Sequence, residues 1–279
     1  MAFQVIDDIP KAVLAALAGL LAVLALWTLL DHRSRAAAGV RRAFSGRARH
    51  LVPALVPAAM FTAVAEDVLR GEDQEMILRL DRKVHEAVAI IASDPTVHTI
   101  ASALSRATGE GLVVAVGAVT VALLMAKRYH DVLVFLIGTT GAWFLSGILK
   151  LVFSIPRPRA HAPWSLSSYG FPSGHAFVAL VACGLLAWLL GCRVTRLTRL
   201  SLYGGALLVA ALAGSARVIL NAHWLSDVVG GLALGAVWVN LVVFVAESTH
   251  PVHSATRLIR SPDPPTAAET AGPPGRATS

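Results

Sequence analysis

Apolar runs long enough to cross a bilayer recur along this chain, and they leave few folds open to it. They fall near Ala12–Leu30, Leu51–Ala65, Gly111–Ala126, Val132–Phe153, Ala176–Gly191, Leu200–Ala216 and Val228–Ala246. Each holds few or no charges, and backbone polar groups inside hydrocarbon must be satisfied within the segment itself, which selects helices. The second run is short and contains Pro53 and Pro57. With 56% hydrophobic residues, 15% charged and a mean hydropathy of +0.66, a soluble globular domain is excluded. The expected fold is all-α: a polytopic membrane helical bundle of six core transmembrane helices plus an extra N-terminal helix.

The net charge of +7 would suit a nucleic-acid binder if the cations shared one soluble face. They lie between the apolar runs instead, so no nucleic-acid partner is expected. Arg33, Arg35, Arg41, Arg42, Arg47 and Arg49 crowd residues 31–50, and Lys127-Arg128 and Arg193/Arg196/Arg199 mark two more loops. Cationic loops stay on the cytoplasmic side. The alternation then puts residues 66–110, 150–175 and 217–227 outside and the C-terminus inside. This organisation reads as a bacterial inner-membrane, multi-pass protein. Residues 1–50 form an N-terminal membrane helix and basic cytoplasmic loop, residues 51–246 the membrane domain, and residues 247–279 a disordered cytoplasmic tail. That tail holds Pro262, Pro264, Pro265, Pro273 and Pro274 among small polar residues and cannot bury a core. An uncleaved anchor or extra span is expected at the start rather than a cleavable signal, since its apolar core is too long and Asp7 and Asp8 precede it. Cys183 and Cys192 lie in or at the end of one apolar run and read as small hydrophobes.

Within residues 66–110, Met76, Ile77, Leu80, Val84, Ala87 and Ile90 recur at helical steps, and Ser93-Asp94-Pro95 should end that helix before a second begins. An amphipathic helix lying along the membrane surface, over the rim of a site, is expected there.

Three polar clusters sit where apolar runs meet the outer side. Charges near hydrocarbon are costly unless they have a task or a partner. The first is Lys150 with Arg157-Pro158: a point charge and a planar fork, the latter matched to two phosphate oxygens and stiffened by Pro156 and Pro158. Positive charge on the outer side also runs against the topology rule. The second is Pro172-Ser173-Gly174-His175, a turn into a helix. There Ser173 can cap, Gly174 lets a ligand approach the backbone, and the first amides offer an anion site. His175 could give a proton to a leaving oxygen. The third is Arg217 with His223 and Asp227. At a four-residue spacing on a helix, Asp227 can take the proton of one imidazole nitrogen and leave the other as a basic lone pair. Taken singly, each cluster has a bland reading as a cap, a snorkelling arginine or a local ion pair. Together, on one face, they supply what is needed to grip a phosphate and break its ester bond.

At these residues the chain resembles the type 2 phosphatidic acid phosphatase superfamily, in its membrane lipid phosphatase branch, related to undecaprenyl-diphosphate phosphatases. The family signature runs Lys, six residues, Arg-Pro; then Pro-Ser-Gly-His; then Ser-Arg, five residues, His, three residues, Asp. Lys150…Arg157-Pro158, Pro172-Ser173-Gly174-His175 and Arg217…His223…Asp227 keep those spacings. The one departure is Ala216 before Arg217, with Ser215 one place earlier. The resemblance covers residues 51–246 and implies an enzyme, a metal-independent hydrolase of lipid phosphates. In that reading His223 attacks phosphorus to form a phosphohistidine, Asp227 orients it, and His175 protonates the leaving oxygen and then activates water. Lys150, Arg157, Ser173, Gly174 and Arg217 hold the phosphate. No cofactor and no metal is expected, since the clusters supply one carboxylate where a two-metal phosphatase needs several.

The substrate expected from the resemblance is a lipid phosphate or diphosphate in the bilayer, of the undecaprenyl diphosphate, phosphatidic acid or phosphatidylglycerol phosphate type, met at the extracytoplasmic face. Transfer of the phosphoryl group to another lipid would use the same phosphohistidine. A silent lipid-binding or transport protein would keep the cations without needing the two histidines and the acid. The oligomeric state is not readable.

Overall fold

The computed structural model describes residues 52–70, 75–158, 169–192 and 194–249. They form eight α-helices and no strand: α1 Val52–Arg70, α2 Glu75–Ala92, α3 Pro95–Thr108, α4 Glu110–Met125, α5 Tyr129–Phe153, α6 Gly174–Gly191, α7 Arg196–Ile219 and α8 Leu225–Thr249. The expected N-terminal span, the arginine-rich loop before it ends and the proline-rich tail lie outside the described residues.

Among the described residues, five stretches are long and apolar enough to cross a membrane: Pro95–Met125, Tyr129–Phe153, Gly174–Gly191, Arg196–Ile219 and Leu225–Ser248. The chain is therefore an all-α, multi-pass membrane protein. The apolar run at residues 51–65 is helical through Pro57, but α1 continues to Arg70 and takes Glu66 and Asp67 into its last turns. It is not apolar enough over its length to join the five. Its inner face nonetheless belongs to the core, with Phe61, Val64, Ala65 and Val68 buried.

The break expected at Ser93-Asp94-Pro95 is present, and its cause is visible. Asp94 adopts extended backbone and its side chain accepts from the amides of Thr96 and Val97, with Pro95 as the first residue of α3. This is a helix start from a carboxylate cap and a proline whose missing N–H costs nothing there. The exposed Asp94 carboxyl is held below its ordinary value by those amides.

α6 is the central element. It packs most extensively against α7 and α8, and against α5 on a third side. Phe177, Val181 and Leu185 are fully buried, and small residues allow the neighbours in. A Cβ on Gly184 would meet Val239 of α8 at 3.0 Å. Small residues at crossings of membrane helices let backbones approach where lipid offers no hydrophobic drive for association. Exposed Ile137, Trp143, Phe144, Ile148 and Leu151 on α5, and Leu207, Leu208 and Leu212 on α7, form the outward faces such a bundle turns to lipid. Cys183 and Cys192 are free thiols.

The connectivity places one end of α5, α6, α7 and α8 together. Lys150 closes α5, Gly174 opens α6, Arg217 closes α7, and Asp227 stands in the first turn of α8. Lys127, Arg128, Arg196 and Arg199 fall at the opposite end.

Candidate active site

The three clusters, spread over 78 positions from Lys150 to Asp227, meet around one backbone segment, Tyr169–Gly170. The Lys150 ammonium donates to the carbonyls of Tyr169 and Gly170, both at 3.3 Å. Arg157 donates through Nε to the Tyr169 carbonyl at 3.1 Å, and through a terminal nitrogen to the carbonyl of Ala222 at 3.5 Å. A bridge between Pro156 and Tyr169, with the Gly170 amide donating to Ile155 at 2.7 Å, ties the two arms of the α5–α6 connection. The indole of Trp224 donates to the Pro156 carbonyl at 3.2 Å. The α7–α8 turn is thus fastened to the arginine-bearing loop.

His223 and Asp227 sit at the bottom of this arrangement, 2% and 0% exposed. The His223 Nδ1 and an Asp227 oxygen are 3.0 Å apart. The same oxygen accepts from the Trp224 amide at 3.0 Å, so Asp227 both holds the imidazole and closes the first turn of its own helix, as the acid of a capping box does. With Nδ1 committed to the carboxylate, Nε2 is the nitrogen left to face a reactant. Burial first, then the charges of Lys150, Arg157 and Arg217, hold the His223 imidazole well below its ordinary value, so it is neutral at pH 7.

Glycine is required at Gly170 by this packing: a Cβ there would stand 2.5 Å from an Asp227 oxygen. The aromatic floor beneath is Phe171, fully buried, stacked on Phe61 of α1 and edge-on to Phe153 of α5.

The turn before α6 departs from expectation in one respect. Ser173 occupies the cap position with extended backbone, yet its hydroxyl makes no capping bond to the helix. The residue is fully buried, and Oγ has no protein partner. The Ser173 backbone instead pins the segment: its amide donates to the Asp227 carbonyl at 2.8 Å. The hydroxyl is therefore free for something other than the helix. Gly174 lies beside Lys150, a Cβ there falling 3.0 Å from the Ser146 hydroxyl and 4.0 Å from the lysine's Cε. His175 directs Nε2 towards Gly109 at the α3–α4 junction, where a Cβ would stand 3.0 Å away.

Arg217 donates to the Ser105 hydroxyl of α3 at 3.1 Å, while its buried Nε has no partner. Snorkelling, the ordinary fate of an arginine at a span end, is thereby excluded, since a snorkelling head would face water. Ser215 is exposed and Ala216 is buried at 1%. Ser215 does not stand in for the missing serine.

Sequence reasoning missed Ser105, Gly109 and the carbonyls of Tyr169 and Gly170. Ser105 pairs with Arg217 across 112 positions. No spacing rule reaches that far, and a serine in an amphipathic helix carries no signal of its own.

Comparison with known proteins points in the same direction as the resemblance. Residues 131–249 match the model of the PAP2 superfamily. The matched segment is thus similar to that superfamily. It holds all eight residues singled out in the three clusters, whereas α1 to α4 lie outside it. The structure is similar to the crystal structure described as the first transmembrane PAP2 type phosphatidylglycerolphosphate phosphatase from Bacillus subtilis. The TM-score is 0.61 at 22% identity, over 72% of this chain and 98% of that one. At that identity the likeness is one of fold. Among curated proteins none matches the chain.

Proposed function

We propose that this protein hydrolyses a lipid phosphate or diphosphate at the extracytoplasmic face of the membrane, through a phosphohistidine on His223. The observation that carries the reading is the buried His223–Asp227 pair at 3.0 Å with three cations, Lys150, Arg157 and Arg217, disposed around it. A binding protein for anions needs the cations. It has no use for a neutral, oriented imidazole buried among them.

In the proposed mechanism the phosphate is held by Lys150, Arg157, Arg217, the Ser173 hydroxyl and the amides that open α6. Ser173 Oγ and Arg217 Nε, both buried and without protein partners, are the two donors best placed to meet phosphoryl oxygens. His223 Nε2 attacks phosphorus and the bond to the leaving oxygen breaks. His175 gives that oxygen its proton, and Asp227 stabilises the positive charge that develops on the imidazole. Water then attacks the phosphohistidine, His175 takes its proton, the P–N bond breaks, and inorganic phosphate departs. Fixed donors aimed at charge that develops in the transition state are the largest single contribution in such sites.

Placement supports a lipid substrate. The site lies at the ends of membrane-length helices, within reach of a headgroup whose chains stay in the bilayer. The neighbour of similar fold is described as a phosphatidylglycerolphosphate phosphatase, and phosphatidylglycerol phosphate joins undecaprenyl diphosphate and phosphatidic acid as candidates here.

The test is phosphate release by the purified protein in detergent, with excess EDTA, on each of these three lipids. Release that survives chelation is expected on at least one, and the ratio of kcat/KM values ranks them. Release that EDTA abolishes would overturn metal independence. No release from any of the three, with phosphate appearing on a second lipid instead, would replace hydrolysis by transfer.

A further inference from the structure

One buried acid lies outside both the signature and the PAP2 segment. Asp81, on the amphipathic helix α2, is 3% exposed. Its carboxylate accepts from the amide of Ser226 at 2.9 Å and from the Ser226 hydroxyl at 2.6 Å, across 145 positions of sequence. Ser226 is the second residue of α8 and lies between His223 and Asp227 in the chain. The first four amides of a helix have no partner within it. In α8 the Asp227 side chain turns back to the Trp224 amide, and Asp81 takes the amide of Ser226 from another helix.

A second contact runs in parallel. The His85 ring, four residues on and one turn along α2, sits 5.3 Å from the Trp224 ring. α2 therefore grips the α7–α8 turn at Trp224 and at Ser226, on either side of the residue that begins α8. A hydrophobic side chain at Asp81 would keep α2 against the bundle equally well. Val84 and Val88 already do so, packed against Ala176, Val218 and Val228. A buried carboxylate is a costly way to fasten two helices unless its hydrogen bonds fix something the packing does not.

From these contacts we infer that Asp81 is a positioning residue for the proposed reaction: by holding the Ser226 amide and hydroxyl it sets the first turn of α8, and with it the His223–Asp227 pair. This rests on the phosphohistidine reading and adds to it a part supplied from outside the PAP2 segment. α2 is accordingly more than a surface helix over the rim, because it reaches into the floor of the site.

The predicted consequence is specific. Without the acceptor at residue 81, the first turn of α8 frays and Asp227 no longer holds His223 Nδ1 at 3.0 Å. Misplacement of about 1 Å in such a pair costs on the order of 100-fold in rate. The phosphate-holding cations keep anchors outside that turn: Lys150 and Arg157 donate to the carbonyls of Tyr169 and Gly170, and Arg217 to Ser105.

The experiment compares D81A, D81N and S226A, alone and with D81A/S226A, in full-length protein. D81A is expected to lower kcat by about 100-fold while the inhibition constant for inorganic phosphate stays within about threefold. D81N, which keeps an acceptor for the amide and can donate to the hydroxyl, is expected to recover most of the loss. In the double variant the losses should fall well short of their product, as for residues sharing one interaction. Hydrogen exchange supplies a readout free of any assumption about activity: in D81A the peptide containing residues 223–228 should exchange faster, and the cores of α5 and α6 should not. Unchanged exchange in that peptide, or multiplicative losses in the double variant, would overturn the inference. So would a loss of thermal stability in D81A with kcat per folded molecule unaltered, which would make Asp81 merely structural. A wild-type protein that turns over no lipid phosphate would sink the phosphatase reading separately, and the exchange result would still decide whether Asp81 sets this turn.

Discussion

At the scale of single residues, the proposed division of labour predicts different losses at the two histidines. His223→Ala removes the attacking atom and should reduce phosphate release to background, while the variant still binds inorganic phosphate through Lys150, Arg157 and Arg217. His175→Ala removes the proton donor of the first step and the base of the second. In single-turnover formation of the phosphohistidine, which isolates the first step, it should cost about 10²–10⁴-fold on a lipid substrate, the range for general acid catalysis, and far less on an aryl phosphate whose leaving group needs no proton. Equal losses on both substrates would remove His175 from that role. The sign of the pH dependence follows from the His223 environment. Burial and the nearby cations lower its pKa, so the nucleophilic neutral form persists as pH falls and is lost only below about 6.5, the unperturbed value. The acid limb of kcat/KM that belongs to His223 should therefore lie below that pH. Lys150→Met takes away one of the cations that depress it, and should move that limb upward in whatever activity remains. A limb that shifts downward would contradict the electrostatic account. These residues were legible in sequence because each signal is short: four positions join His223 to Asp227, and seven join Lys150 to Arg157. The Ser173 cap was legible as a position but not as a bond, since a cap residue's hydroxyl is free to turn from its helix when the surrounding packing offers it no amide.

At the scale of elements, three glycines, one in α8 and two in α7, separate packing needed by the site from packing that is not. In α8 a Cβ on Gly231 would stand 2.6 Å from the Ser173 carbonyl oxygen, backbone that cannot give way cheaply. Gly231→Ala should push the α6 turn away from α8 and lower both stability and kcat. Gly204 and Gly205 in α7 have nothing within 4 Å of an added Cβ. Replacing either by alanine should leave activity unchanged and stabilise by about 0.5–1 kcal/mol, the ordinary helical preference for alanine. Thermal unfolding in detergent beside a phosphate-release assay checks both. The helices themselves were largely readable, from apolar length for α4 to α8 and from three- and four-residue periodicity with a proline stop for α2 and α3. What periodicity could not show is which residues on the amphipathic face are anchors. Asp81 occupies a position that reads as a polar interruption, and only the folded chain brings Ser226 to it. The same holds for Ser105 and Arg217, joined by α3 crossing α7.

At the scale of the whole molecule, the remaining question is which way the bundle faces. Lys150, Arg157, Arg217, His175 and the His223–Asp227 pair gather at one end, and Lys127, Arg128, Arg196 and Arg199 at the other. On the proposed reading the positive-inside tendency puts the second group in the cytoplasm, and the site would then open outward. An arginine at a cytoplasmic loop serves orientation, whereas the site's cations are tied to carbonyls or to Ser105 and held near a buried histidine. The site's cations therefore do not count against that proposed orientation, because their charge is bound into the site rather than left to the loop. Orientation is measurable in intact cells with a C183A/C192A background, which removes both native thiols. Thr96→Cys, exposed at the start of α3, should react with an impermeant maleimide from outside; Thr198→Cys, exposed at the start of α7, should react only after permeabilisation. The reverse pattern would turn the site to the cytoplasm. On the proposed reading the site would then meet lipid phosphates of the inner leaflet instead of the outer one.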